Sequence, residues 1–185
     1  DNDGWKDLAV ARSNVQDNIA KLSPRQYEEP NAVFRNLGNG KFQSVGAQAG
    51  PDFQKPAAHR GMATGDLDND GRMDLVVNVL NGPAKLFHNT TQNANHWILL
   101  KLSGTKSNRM GIAAKVRLTT PDGLTQSNHV TTSTGFASSS DSRVHFGLGA
   151  ADTAREIEIV WPSGIKQVLR DVKGDRVVTV TEAAR

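Results

Sequence analysis

The 185-residue chain contains no cysteine. That excludes a disulfide scaffold, a thiol nucleophile and any cysteine-ligated zinc or iron–sulfur site. No run approaches the roughly 18 apolar residues that a membrane-spanning helix needs, and no stripe of Lys and Arg interleaved with aromatics appears, so neither a membrane span nor a nucleic-acid partner is expected. The start, Asp1-Asn2-Asp3-Gly4, is neither an initiator Met nor part of a signal peptide, which implies that the true N-terminus lies upstream. Catalytic signatures are missing too. There is no His-Glu-x-x-His pair and no Gly-x-Ser-x-Gly elbow around any serine, and Gly147-Leu148-Gly149-Ala150-Ala151-Asp152 lacks the third glycine of a dinucleotide fingerprint.

What remains is an ordinary globular composition, 37% apolar with a net charge of +3, enough for one or two domains with real cores. The charge is uneven. Residues 1–95 hold ten basic and eleven acidic side chains, about −1, and residues 96–185 hold twelve and eight, about +4. Part of the acidity of the first half is concentrated in two short clusters.

Those clusters belong to an internal repeat. Asp1-Asn2-Asp3-Gly4-Trp5-Lys6-Asp7-Leu8-Ala9-Val10 returns as Asp68-Asn69-Asp70-Gly71-Arg72-Met73-Asp74-Leu75-Val76-Val77, and Ala32-Val33-Phe34-Arg35-Asn36 returns as Lys85-Leu86-Phe87-His88-Asn89. The first copy carries a 14-residue insertion, about Asn14 to Pro30, that reads as an ordered or semi-ordered loop. Two copies cannot close a repeat architecture, so further repeats are expected upstream. The period is that of strands: Leu8–Val10, Ala32–Phe34, Leu75–Val79 and Lys85–Phe87 are short, β-rich and bounded by Gly, Asn and Pro. Asn36 to Phe42, with Asn39-Gly40 at its centre, is a hairpin signal. At Asn93-Ala94-Asn95 the character changes, and we place a domain boundary near residue 95. Beyond it, Trp97–Leu102, Ala114–Leu118, Val144–Phe146, Ile157–Trp161 and Val177–Val180 read as further strands, several with clean alternation. Six to eight of them over ninety residues suggest a β-sandwich or small barrel.

The chemistry lies in Asp66-Leu67-Asp68-Asn69-Asp70-Gly71-Arg72-Met73-Asp74. Carboxylates stand at positions 1, 3, 5 and 9 with glycine at 6, and oxygen ligands at that density repel one another unless a cation neutralises them. Ca²⁺ accepts six to eight oxygens in a tolerant geometry. The candidate ligands are Asp66, Asp68, Asp70, the Arg72 carbonyl and Asp74. An EF-hand would need a bidentate Glu at position 12, where Val77 stands in a β-branched run, so a calcium loop between strands remains. In the first copy Asp1, Asp3, the Trp5 carbonyl and Asp7 take positions 3, 5, 7 and 9, and the position-1 ligand would precede the chain.

On these residues, 1–95 resemble FG-GAP (VCBS-type) repeats, the blades of calcium-binding β-propellers. The resemblance rests on Asp-Asn-Asp-Gly-Trp-Lys-Asp-Leu, on Phe34-Arg35-Asn36-Leu37-Gly38-Asn39-Gly40-Lys41-Phe42, and on Gly61-Met62-Ala63-Thr64-Gly65-Asp66 leading into the second loop. Residues 96–185 resemble the ASPIC/UnbV domain that follows such repeats in proteins similar to cartilage acidic protein, through His96-Trp97-Ile98, Gly104-Thr105-Lys106-Ser107-Asn108-Arg109, His145-Phe146-Gly147-Leu148-Gly149 and Val160-Trp161-Pro162-Ser163-Gly164. The chain departs from the pattern at Ala11–Val15, at Thr134–Ser140 and at Met110, and none of these touches a calcium ligand.

Other constellations have plainer readings. His145 on an alternating strand reads as a packed or surface residue, and Ser138-Ser139-Ser140-Asp141-Ser142 as a hydroxyl-rich loop. Glu156 and Glu158 read as a solvated strand face rather than a glycosidase pair. Trp5, Trp97 and Trp161 read as core or interdomain packing, and Asn89-Thr90-Thr91 fits a glycosylation sequon. The expectation is therefore an all-β chain: C-terminal blades of a calcium-binding β-propeller, then a β-sandwich-like ASPIC/UnbV domain. It works by binding a protein or glycan rather than by turnover, in a secreted, cell-surface or periplasmic setting. The rival readings are the C-terminal part of a propeller-based hydrolase or lyase whose active site lies upstream, and a structural subunit of a larger extracytoplasmic complex.

Overall fold

The computed structural model describes residues 1–184 and is all-β apart from two short 3₁₀ turns, Ile19–Lys21 and Gly46–Gln48. β1 (Leu8–Val10), β2 (Ala32–Asn36) and β3 (Phe42–Ser44) form one antiparallel meander, and β4 (His59–Gly65), β5 (Asp74–Val79) and β6 (Lys85–Phe87) form another. The first hairpin forms where expected, with Asn36 opposite Phe42 and the Leu37 amide bonded to the Lys41 carbonyl at 2.9 Å. Its left-handed residues are Gly38 and Gly40 rather than Asn39, so the loop is longer than a two-residue turn.

The insertion after β1 is ordered by its own contacts. Asn14 donates to the Tyr27 carbonyl, Ser13 bridges Glu28, and the Arg60 guanidinium reaches the Asn14 carbonyl and lies over the Tyr27 ring. Beneath it sits His59, 1% exposed, with Phe53, Ala57 and Ala58 as buried neighbours in sequence.

The second half contains β7 (His96–Ser103), β8 (Lys115–Thr119), β9 (Thr125–His129), β10 (Val144–Gly149), β11 (Thr153–Val160), β12 (Lys166–Lys173) and β13 (Arg176–Thr181). They make a three-stranded sheet in the order β10-β7-β13, with β13 parallel to β7, and a four-stranded antiparallel sheet in the order β12-β11-β8-β9. Alternation along each strand aims one set of side chains inward. Ile98, Leu100, Phe146 and Leu148 from the first sheet meet Val116, Leu118, Ile157 and Ile159 from the second in one core, closed by Trp161. Two sheets packed face to face over such a core make a sandwich. The opposite face of β8 and β11 carries Lys115, Arg117, Glu156 and Glu158 toward solvent. Among the described residues no helix is long and apolar enough to cross a membrane.

Candidate metal centre

The acidic segment leaves β4 at Gly65 and enters β5 at Asp74, so its ends are pinned in adjacent antiparallel strands, where Gly65 faces Asp74 in register. Between them the chain turns through left-handed conformations at Asn69 (φ 62°) and Gly71 (φ 85°), which asparagine and glycine tolerate best. The carboxylates fold the loop onto themselves. Asp66 accepts the Asp70 and Gly71 amides at 3.1 and 3.0 Å, Asp68 accepts the Asp70 amide, and Asp70 accepts the Arg72 amide at 2.8 Å. Asp74, 1% exposed, accepts Leu67 N–H with one oxygen and Asn89 N–H with the other.

This folding gathers charge. One oxygen each from Asp66, Asp68 and Asp70 lies within 4.8 Å of the others, and Asp68, Asp74 and His88 form a second such group that shares Asp68. A carboxylate has about four lone-pair sites, so the one or two hydrogen bonds that each of the three accepts within the loop leave room for a cation. The Arg72 side chain lies along the cluster, paired with Asp70 and donating to the Asn89 carbonyl at 2.7 Å. The residues present fit a hard divalent ion.

The first copy has the same local hydrogen bonds and a different electrostatic solution. Asp3 N–H donates to Asp1, Trp5 N–H to Asp3, and Asn36 N–H to Asp7 at 2.7 Å, each matching a bond of the second loop. Asn2 and Gly4 repeat the left-handed turns at 62° and 92°. Yet among the described residues the oxygens of Asp1, Asp3 and Asp7 do not converge into such a group. The Arg35 guanidinium lies against Asp1 at 2.7 Å and Asp3 at 3.5 Å instead, and the Trp5 ring packs on Gly38, where a Cβ would come within 2.8 Å of it.

Comparison with known proteins finds likenesses in both halves of the chain. Residues 1–77 match the model of the FG-GAP-like repeat, and residues 104–185 match that of ASPIC and UnbV. Together the two matched segments, the FG-GAP-like segment and the ASPIC and UnbV segment, make up most of the chain. It is also similar to cartilage acidic protein 1 of Mus musculus, with 44% identity over 59 residues, and of Homo sapiens, with 42% over 59. The protein of Xenopus tropicalis is 38% identical over 58 residues. Each match covers 31% of this chain and 9% of the relative.

Sequence reasoning missed the two basic residues that answer the acidic loops. They occupy equivalent positions, Arg35 after Phe34 and His88 after Phe87. His88 lies 3.1 Å from Asp74 and 3.7 Å from Asp68. The repeat alignment already contained this pairing, because a position that follows the same Phe in both copies must face the same loop. The ASPIC and UnbV segment contributes as well: Arg143, just before β10, and His145 within it reach the second loop from more than seventy residues away. Burial holds the His145 imidazole below its ordinary pKa, against the Gly71 carbonyl and the Asp66 charge, both of which favour the protonated ring.

Proposed function

We propose that this chain is part of a calcium-stabilised extracytoplasmic binding module that recognises a protein or glycan and performs no turnover. The convergence of Asp66, Asp68 and Asp70 within 4.8 Å carries the reading: an all-oxygen donor set on a loop closed by its own amide bonds suits Ca²⁺, which when bound neutralises the carboxylates and ties β4 to β5. Asp74 completes the set from the start of β5, with the Arg72 carbonyl as the expected further ligand. For the first loop we propose that Arg35 supplies the counter-charge.

We read the two meanders as propeller blades. Aligned on their acidic loops, β1 corresponds to β5 and β2 to β6, so β4 precedes the pattern and β3 follows it; together they describe one four-stranded unit, the strand number of a propeller blade. Their apolar side chains also want cover, since Leu8, Val10 and Leu86 are exposed, Leu86 by 62%, as expected of strands flanked by further blades. Calcium modules of this kind commonly work at about 10⁻⁴–10⁻³ M, which suits a secreted, cell-surface or periplasmic setting. Thermal unfolding tests the proposal: the midpoint should rise with added Ca²⁺ and fall with excess chelator, and a midpoint indifferent to both would overturn it.

A further inference from the structure

We infer that the calcium loop of the FG-GAP-like segment is held in its binding conformation by the ASPIC and UnbV segment, so that the metal centre is complete only when the two are docked. This rests on the calcium reading above and adds four positioning groups to it: Arg143 and His145 from that segment, Trp97 of β7 just before it, and Asn2 from the first acidic loop.

Arg143 follows the loop Thr131–Ser142 and precedes β10. Its own carboxylate neighbour, Asp141, accepts its Nε at 2.6 Å and so fixes the plane of the guanidinium. The two remaining nitrogens both point into the acidic loop, one to the Asn69 side-chain oxygen and one to the Asp66 backbone carbonyl, each at 2.6 Å. A planar fork held at one end and spanning two acceptors sets the spacing between positions 1 and 4 of the loop. The Gly71 carbonyl, at position 6, is held from two sides: His145 Nε2–H donates to it at 3.0 Å from β10, and the Asn2 amide donates at 3.0 Å from the first loop. Beneath Gly71 lies the buried Trp97 ring of β7, close enough that a Cβ on Gly71 would come within 2.0 Å of it. Glycine at this position therefore serves two ends, the left-handed turn and the seat on Trp97.

The seat continues around the loop. Thr64 of β4 donates its amide to Ser140 and accepts the Asp141 amide at 2.9 Å. The first loop rests on the same strand of the sandwich, with Gly149 N–H donating to the Asn2 carbonyl at 2.9 Å and Gly147 lying against the Asn2 backbone. β10 thus meets both acidic loops. Linkage follows: if docking holds the loop in the shape that binds Ca²⁺, then Ca²⁺ must strengthen docking by the same factor.

Arg143 makes the test discriminating because its charge and its geometry predict opposite outcomes. A guanidinium this close to the carboxylates repels a dication, so removing it should tighten Ca²⁺ binding if charge alone mattered. If Arg143 holds the loop, R143A should weaken binding by about tenfold, the scale of a pair of charge-assisted hydrogen bonds after some compensation. Calorimetric titration of the full chain with Ca²⁺ reads this, with R117A on the outer face of β8 as the control for lost positive charge, expected to bind like the wild type. H145L, which removes one donor to the Gly71 carbonyl, should weaken binding by about threefold. Hydrogen exchange gives a second readout on the unmutated chain: Ca²⁺ should slow exchange at β10 and at His96–Trp97 as well as within 66–74. Tighter or unchanged binding in R143A, or protection confined to 66–74, overturns the inference. If R143A does not fold, H145L and the exchange pattern decide it. A wild-type chain that takes up no Ca²⁺ is a different failure, that of the calcium reading itself.

Discussion

His59 is a buried titratable side chain with its hydrogen bonds committed. Nδ1 lies 3.1 Å from the Glu29 carbonyl and 3.3 Å from that of Arg12, and Nε2 lies 3.3 Å from the Lys85 ammonium. Only one neutral tautomer suits both ends: Nδ1–H donates to the carbonyls and Nε2 accepts from Lys85. Protonation would bury an imidazolium against an ammonium. Burial first, and then the Lys85 charge, therefore hold the His59 pKa below its ordinary value, while the two carbonyls pull the other way. A histidine depressed in the folded state binds protons more readily when unfolded, so its contribution to stability is full above about pH 6.5 and is lost as the pH falls through that value. The urea midpoint should accordingly decline between about pH 7 and 5, and H59Q, which can still donate to a carbonyl and accept from Lys85, should make that decline shallower. An equally steep decline in H59Q would show that His59 does not titrate with unfolding.

At the scale of elements, the carboxylate of Glu182 joins the end of β13 to the loop after β7. Glu182 is 1% exposed and accepts the amides of Thr105, Lys106 and Ser107 at 2.8, 2.8 and 2.7 Å, together with the hydroxyls of Ser107 and Ser163. Burial pushes its pKa up, but the Ser163 hydroxyl, the Ser107 and Thr105 amides and the Ser107 hydroxyl outweigh it and bring the group down to about 2. The stability it supplies is present above the ordinary carboxylate value of 4.5 and is lost as the pH falls from there toward about 2. E182Q, which keeps the shape but cannot accept five donors, should lower the thermal midpoint by several degrees at pH 7 and lose that deficit near pH 2; an unchanged midpoint at pH 7 would mean the loop closes without the charge. The segment Gly104–Arg109 was legible as a motif and illegible as a structure, since its partner lies 75 residues away. The same limit governed the strands. β8 and β11, whose alternation buries one face, and β7, whose apolar run is buried on both, could be read. β9 (Thr-Gln-Ser-Asn-His) and β12 could not, because they edge the four-stranded sheet and bury little. β4 escaped through its two glycines and the irregular register between His59 and Met62.

For the whole molecule the question is how many cations the two acidic loops take. The aspartates of both loops were legible in the sequence, because their spacing is local. What the spacing hides is that Arg35 of β2 and His88, just after β6, face those loops, and that Arg143 and His145 of the ASPIC and UnbV segment reach the second loop. The Arg35 guanidinium spans Asp1 and Asp3, whose oxygens do not converge, whereas in the second loop Arg72 pairs with Asp70 alone and three carboxylates still converge, with Asp74 alongside. One equivalent of Ca²⁺ per chain is the expected stoichiometry, and D66N should abolish it while D3N leaves it intact. The same ion sets the expected stabilisation. With a Kd of about 10⁻⁴ M, 1 mM Ca²⁺ contributes about 1.4 kcal/mol by mass action, which for a chain of this length raises the thermal midpoint by about 3–6 °C. That rise should vanish in D66N and persist in D3N. Two equivalents in the wild type, with one of them lost in D3N, would show instead that Arg35 yields its place to the metal and that the two loops are equal sites.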